Sequence, residues 1–432
     1  MRGPPRRALR VRHPSAARRA RRPLPLLRAG DSGHLVLALV LVLQTAAGPP
    51  AVPHFPSSPA PRGPARFDAA TFDPLVQAGI KRGAYPGAAL VVGRADTVLF
   101  SRGYGHLTWS ARSPAVDPDS TLYDLASVTK VVATTTALML LVDRRRVRLD
   151  APVATYVPEF DGPGTAAITV RQLLTHTSGL RPTLPLYREA DSAAALRQVF
   201  AATPIAPPGT RVMYSDLNAI LLGEIVRRAS GRAGGEVEPL DVITAREILA
   251  PLGLHQTLFR PPATLRRRIA PTGLWHGQPV AGVVNDRNAA RLGGVAGHAG
   301  LFATARDVAR FAQFILRGGT LSNGRRFVLA ETVRLFTTKA ANFGSGSEAR
   351  ALGWQAVPTG EHTSSAGALF GLRSFGHTGW TGTSLWIDPD RGLFVVLLTN
   401  RAYAPRSRTS FTALKEVRGR VADAAARAHD GP

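Results

Sequence analysis

Ser127-Val128-Thr129-Lys130 forms a Ser-x-x-Lys box at the start of an apolar run from Val131 to Val142. A serine hydroxyl at its ordinary pKa is a weak nucleophile, and a partly desolvated amine or ammonium beside it can activate it. The run reads as a buried helix. With Ser127 in its first turn, the i, i+3 spacing sets Lys130 on the same face, one turn on. The helix start adds N–H groups with no helical partner beside the reacting oxygen, the beginning of an oxyanion site. By itself the box is a modest signal, equally readable as a capping serine followed by a surface lysine. Its partners decide.

Two further segments could complete it. Pro207-Pro208-Gly209-Thr210 leads into Tyr214-Ser215-Asp216, at the start of another apolar helix. Gly376-His377-Thr378-Gly379-Trp380 enters a strand. No His-Glu-x-x-His and no Cys/His cluster is present, so neither a metal nor another cofactor is implied. The chain has no cysteine, which removes disulfides, thiolate metal sites and cysteine nucleophiles together. No Gly-x-Ser-x-Gly elbow appears, which argues against an α/β-hydrolase.

The elements that must position these residues follow from periodicity. Phe67 to Arg82 has helical spacing, and Gly87 to Gly93 with Val98 to Tyr104 reads as a hairpin around Arg94-Ala95-Asp96. From Leu149 to about Leu316 the pattern is helical with long Pro/Gly-rich loops, including Val170 to Leu174, Ala194 to Phe200, Ala219 to Arg228 and Asp307 to Leu316. Strand character returns at Ser384 to Ile387 and Leu393 to Leu398, across a turn at Asp388-Pro389-Asp390. Phe411 to Ala428 closes the chain as an amphipathic helix. Strands at both ends around a helical insert predict an α/β fold. Its sheet is assembled from the two chain ends, a helical part packs against it, and a cleft opens at their junction.

The chain of 432 residues carries 54 basic and 29 acidic side chains, a formal charge of +25. Ten arginines precede residue 30, and Asp31 is the first acid. Beyond residue 47 the arginines are scattered rather than striped, which argues against nucleic-acid binding. Anionic polymers such as cell-wall glycans, or lipid headgroups, suit such a surface better. The N-terminus has the parts of an export signal: a long basic region, an apolar stretch Leu35 to Leu43, and small residues Thr45-Ala46-Ala47. Residues 1–47 are therefore expected to be an export signal, with an uncleaved membrane anchor as the alternative. Residues 48–65 form a Pro-rich linker and 66–425 a single domain. Within it, 66–126 and 345–425 make the α/β part and 127–344 the mostly helical part, leaving 426–432 as a tail. The expected destination is the periplasm or the exterior.

Ser-x-x-Lys, Tyr-x-Asn and Lys-Thr-Gly, in that order, are the signature of the penicillin-recognising serine hydrolases. The chain resembles that superfamily, in the branch of class C β-lactamases, DD-carboxypeptidases and related esterases, where Tyr fills the second box and His-Thr-Gly often replaces Lys-Thr-Gly. The likeness extends through Leu173-Leu174-Thr175-His176-Thr177-Ser178-Gly179-Leu180 and Gly300-Leu301-Phe302-Ala303-Thr304-Ala305. The segments Val284-Asn285-Asp286-Arg287-Asn288-Ala289 and Gly293-Gly294-Val295-Ala296-Gly297-His298-Ala299-Gly300 resemble one subgroup. It contains N-acetylmuramyl-L-alanine amidases and penicillin-binding protein 4B-type carboxypeptidases.

The resemblance implies a β-lactamase/transpeptidase-like fold and a role for each box. Ser127 would be the nucleophile and Lys130 would keep it activated. Tyr214, its pKa depressed by nearby positive charge, would serve as base and then as proton donor to the leaving group. His377, Thr378 and Gly379 would line the cleft edge, and the N–H groups of Ser127 and Trp380 would hold the oxyanion. His176 and His298 read as structural.

Two departures matter. Asp216 replaces the usual Asn, so an amide that can donate becomes an acceptor that supports Lys130 instead. His377 replaces Lys and, as a neutral imidazole, attracts a carboxylate less firmly. The expected activity is acyl-enzyme hydrolysis of amide bonds in cell-wall peptides or muropeptides. A carboxylesterase or weak β-lactamase is the same-fold alternative, and a catalytically silent wall-binding protein the alternative of another kind. The substrate is a small molecule or peptide.

Overall fold

The computed structural model describes residues 67–231, 237–341, 349–358, 364–404 and 407–431. The expected export signal and linker lie outside them. The frame is a seven-stranded antiparallel sheet drawn from both chain ends. Its strands are β1 (Gly87–Arg94), β2 (Val98–Gly105), β3 (Ala349–Arg350), β4 (Gln355–Ala356), β5 (Phe375–Thr378), β6 (Ser384–Asp388) and β7 (Leu393–Thr399), in spatial order β2-β1-β7-β6-β5-β4-β3. The two ends meet where β1 pairs with β7, Val91 opposite Val396.

β1 and β7 read as unbroken apolar runs because both faces of the sheet are covered, and side chains still alternate along each strand. Leu90, Val92, Val395 and Leu397 face one layer, with α1 (Ala69–Lys81) and the closing helix. Val91, Phe394, Val396 and Leu398 face the other layer, with the helical part. There α2 (Thr136–Asp143), α3 (Asp216–Ala229) and α4 (Ala305–Leu316) supply most of the helical core. The closing helix, α5, spans Ser407–Asp430, so most of the expected tail is helix.

The helical part also holds strands that the sequence pattern hides. Leu301–Ala303 pairs with Tyr123–Asp124 on one side and Thr257–Phe259 on the other. Gly273–Trp275 and Gln278–Val280 form a separate hairpin. Strands of two or three residues are too short to display a period of two.

The stretch before α2 departs from a regular α-helix. Ala126–Val128 is a 3-10 turn and Lys130–Thr135 is π-helical before α2 begins. Ala126 to Asp143 is long and apolar enough to cross a membrane, but 83% of it is buried inside the protein, as befits a core helix.

A glycine-rich loop is wedged between this helix and α3. A Cβ on Gly297 would lie 2.0 Å from the Ala219 carbonyl oxygen of α3, and the Gly297 carbonyl accepts from Thr134 Oγ1 at 2.8 Å. Gly297→Ala is therefore expected to overpack this junction and cost about 1–3 kcal/mol. Urea unfolding measures it, and an unchanged midpoint would show that the loop is free to shift.

Candidate active site

The segment that carries Ser127 is held from both sides. Tyr123–Asp124 is fixed by Leu301–Ala303, and the Leu125 N–H donates to the Leu301 carbonyl at 2.9 Å. Ala126 takes the left-handed conformation, φ 47°, which costs a non-glycine residue about 1–3 kcal/mol and persists only where its surroundings demand it. The buried Asp124 supplies that demand. Its Oδ1 accepts the Ala126 N–H at 2.9 Å, and its Oδ2 accepts the Asn285 N–H at 2.7 Å. Burial pushes the Asp124 carboxyl up to about 6 despite these two donors.

Lys130 opens the π-helical stretch three residues after Ser127, and its Nζ lies 2.9 Å from Ser127 Oγ. The same Nζ donates to the His298 carbonyl at 3.1 Å and lies 2.8 Å from Asp216 Oδ1, an ion pair without good hydrogen-bond alignment. Burial alone pulls the Lys130 pKa down. The Asp216 carboxylate and the Tyr214 phenol outweigh it, and the pKa stands above the ordinary lysine value. Lys130 is an ammonium at neutral pH.

Tyr214 completes the triangle, its hydroxyl donating to Ser127 Oγ at 2.8 Å. Two cations flank its ring, Lys130 Nζ at 5.0 Å and Arg350 Cζ at 5.1 Å from the centroid. His176 fixes the segment: its carbonyl accepts the Met213 N–H at 2.7 Å, and its Nδ1 accepts the Ser215 N–H at 3.2 Å. It is thus the buried turn residue expected, at φ 56°. His298 is structural as well. Its carbonyl serves Lys130, and its Nε2 lies 3.0 Å from Asp286 Oδ1.

The third box lies on β5 and the turn after it. Thr381 Oγ1 donates to the Asp124 carbonyl at 2.7 Å and Thr383 Oγ1 to the Leu125 carbonyl at 2.8 Å. This turn is thereby bolted to the segment that carries Ser127. His377 Nδ1 lies 2.9 Å from the Thr378 carbonyl oxygen, which can only accept, so Nδ1 carries a proton. Burial, then the charges of Lys130 and Arg350, hold the His377 pKa well below the usual histidine range. The ring is neutral.

A cleft of about 720 Å³ brings together Ser127, Tyr214, Asp216, His377, Thr378, Gly379 and Trp380. Lys130 sits behind Ser127 with its side chain 4% exposed. Every residue singled out for the site from sequence is therefore gathered at one place. Asp216 supports Lys130 as its chemistry suggested. Arg350, Asp124 and Arg418 were missed. Arg350 and Arg418 also line the cleft, but no motif marks them, and arginines are too common in this chain to stand out.

The Beta-lactamase family model matches residues 72–417. An Escherichia coli (strain K12) protein named "Putative D-alanyl-D-alanine carboxypeptidase" is 32% identical over 361 residues, covering 74% of this chain and 80% of that protein. Among solved structures, a penicillin-binding protein homolog from Caulobacter crescentus matches with a TM-score of 0.66 at 23% identity, covering 85% of this chain and 99% of that one. The hydrolase EstCE1, described as having promiscuous acyltransferase activity, matches at 0.65 and 22% identity, over 83% and 98%. A class C beta-lactamase matches at 0.63 and 22% identity, over 81% and 95%. At these identities the structures speak for the fold, which is the β-lactamase/transpeptidase-like α/β fold.

The neutral His377 ties stability to pH. An unfolded histidine gains a proton below about pH 6.5 and the folded one does not. The unfolded state then binds more protons, and stability falls as pH falls. Asp124 works in the opposite sense, because its raised pKa makes the folded state take up the proton first. The test is therefore differential. Between pH 7.5 and 5.5 the wild type is expected to lose about 1.4 kcal/mol more than His377→Gln. Urea unfolding at the two pH values measures it, and parallel losses would mean that His377 protonates in the folded protein.

Proposed function

The chain belongs to the Beta-lactamase family, and on that footing we propose that it is a serine hydrolase acting through an acyl-enzyme on Ser127. Its proposed substrates are amide bonds of peptidoglycan-derived peptides or muropeptides. The observation that carries this reading is Ser127 Oγ at the cleft wall, 2.9 Å from Lys130 Nζ and 2.8 Å from the Tyr214 hydroxyl.

With Lys130 held as an ammonium, it can donate but cannot take the serine proton. That leaves the Tyr214 oxygen to accept it, once the phenol has passed to solvent the proton it now donates to Ser127 Oγ. Ser127 Oγ bonds to the substrate carbonyl carbon and its proton passes to Tyr214. The phenol then gives the proton to the leaving nitrogen as the C–N bond breaks. Water attacks the resulting ester by the same route in reverse, with the same oxygen taking its proton. Lys130 and Arg350 flank the ring throughout and stabilise negative charge on it. The N–H groups of Ser127 and Trp380 receive the carbonyl oxygen.

The carboxypeptidase name of the Escherichia coli relative supports a peptide substrate. The segments around Asn285 and Gly293 support placement near the amidase and penicillin-binding protein 4B-type subgroup. Action on wall peptides fits export directed by residues 1–47, with delivery to the periplasm or exterior. Carboxylester hydrolysis is the second reading, favoured by one observation: the neutral His377 gives β5 no cation to anchor a substrate carboxylate. The same feature, with Asp216, weakens the case for an efficient β-lactamase.

Incubation with muropeptides should release shortened products detectable by mass spectrometry, and a fluorophosphonate should leave its adduct on the peptide holding Ser127. An adduct elsewhere, with Ser127→Ala still active, would remove the mechanism. Tyr214→Phe keeps the ring and its packing but loses the transferable proton. Its kcat should fall about 10²–10⁴-fold with the melting temperature nearly unchanged. A variant within about threefold of wild type would assign the proton to another group.

A further inference from the structure

Arg418 of α5 is 3% exposed and lies at the cleft wall behind the third box. Its Nη2 donates to the Thr383 carbonyl at 2.7 Å and reaches the Gly379 carbonyl at 3.4 Å, while its Nε has no partner. Among the described residues no carboxylate pairs with it. Burial and the neighbouring Arg401 lower its pKa to about 9, which leaves it charged at neutral pH. A buried charge without a counter-ion is costly. A fold that needed only a tie to two carbonyls would be served more cheaply by a neutral donor.

The geometry of the peptide shows what the charge can do. No cis peptide occurs among the described residues, and in a trans peptide the C=O and N–H point in opposite directions. The Gly379 carbonyl is held by the Gly382 N–H at 3.1 Å and by Arg418 on the α5 side. The N–H of that same peptide belongs to Trp380, and it points away from Arg418. Gly379 packs so closely that a Cβ there would lie 2.2 Å from Thr383 Oγ1 and 2.4 Å from the carbonyl oxygen of Leu125, in the segment that carries Ser127.

We propose that Arg418 is a positioning residue for catalysis: through the Gly379–Trp380 peptide it orients and polarises the N–H that receives the oxyanion. A cation at the carbonyl end draws electron density toward that oxygen and leaves the N–H a stronger donor, the cooperative effect expected of linked hydrogen bonds in a dry site. When Ser127 attacks, the substrate carbonyl oxygen takes the electron pair and Tyr214 the proton. Arg418 exchanges neither, and its charge offsets the developing oxyanion from one peptide away. The proposal rests on the acyl-enzyme reading above.

The test uses wild type, Arg418→Gln and Arg418→Lys, each checked for folding by circular dichroism. A p-nitrophenyl ester with a carbon-13-labelled carbonyl acylates the enzyme, and difference infrared spectra report the acyl carbonyl stretch. In Arg418→Gln the band is expected at higher frequency, with kcat about tenfold lower and KM little changed. That is a fraction of the ~10²–10³ that losing an oxyanion donor outright costs. Arg418→Lys keeps the charge without the planar fork, so its band and kcat should fall between the other two. If Arg418→Gln does not fold, the lysine variant decides, and a band no higher than wild type overturns the proposal. Identical bands in all three proteins, or losses confined to KM, would reduce Arg418 to a structural tie. If wild type shows no acyl band at all, the acyl-enzyme reading fails first and this proposal with it.

Discussion

The site depends on one buried ammonium. Lys130 has three donors to satisfy in a place almost closed to water, and unmet donors on a buried cation are among the most expensive defects a protein can carry. Its partners come from three parts of the chain: Ser127 Oγ from its own turn and the His298 carbonyl from the glycine-rich loop accept hydrogen bonds, and Asp216 at the start of α3 pairs with the charge. Satisfying one charge therefore brings three segments into register. Because the pKa of Lys130 is raised, these interactions persist across the neutral range and weaken only as pH rises through the folded value.

The other half of the site is assembled by main-chain carbonyls. The turn after β5 is tied to the segment that carries Ser127 by the hydroxyls of Thr381 and Thr383. It is held from behind by Arg418, and by Arg401, whose guanidinium bonds the Trp380 carbonyl. Strained Ala126, anchored by Asp124, presents Ser127 to the same cleft. The proposed site thus sits on packed elements at the seam between sheet and helical part, as preorganised electrostatic stabilisation requires.

Two of the boxes carry residues that change the charge lining the cleft. Asp216 commits its carboxylate to Lys130, where an amide would also have offered a donor to substrate. His377 places a neutral ring on the strand edge. Together they place a negative charge beside Lys130 and a neutral ring on the edge of β5.

Residue type and spacing determined a good deal of this protein. The apolar runs of β1, β6 and β7 announced strands from both chain ends, and the ordered boxes marked Ser127, Lys130, Tyr214 and His377, because these features are local and each stands out against its neighbours. What the sequence could not express is anything carried by one carbonyl, one short bridge or one arginine among fifty. The His298 and Gly379 carbonyls are chemically the same as every other peptide oxygen, Leu301–Ala303 is too brief to show a period, and Arg350 and Arg418 become distinctive only by where burial puts them. Their roles arise from contacts between residues far apart in the chain, and only tertiary packing brings those partners within hydrogen-bonding reach.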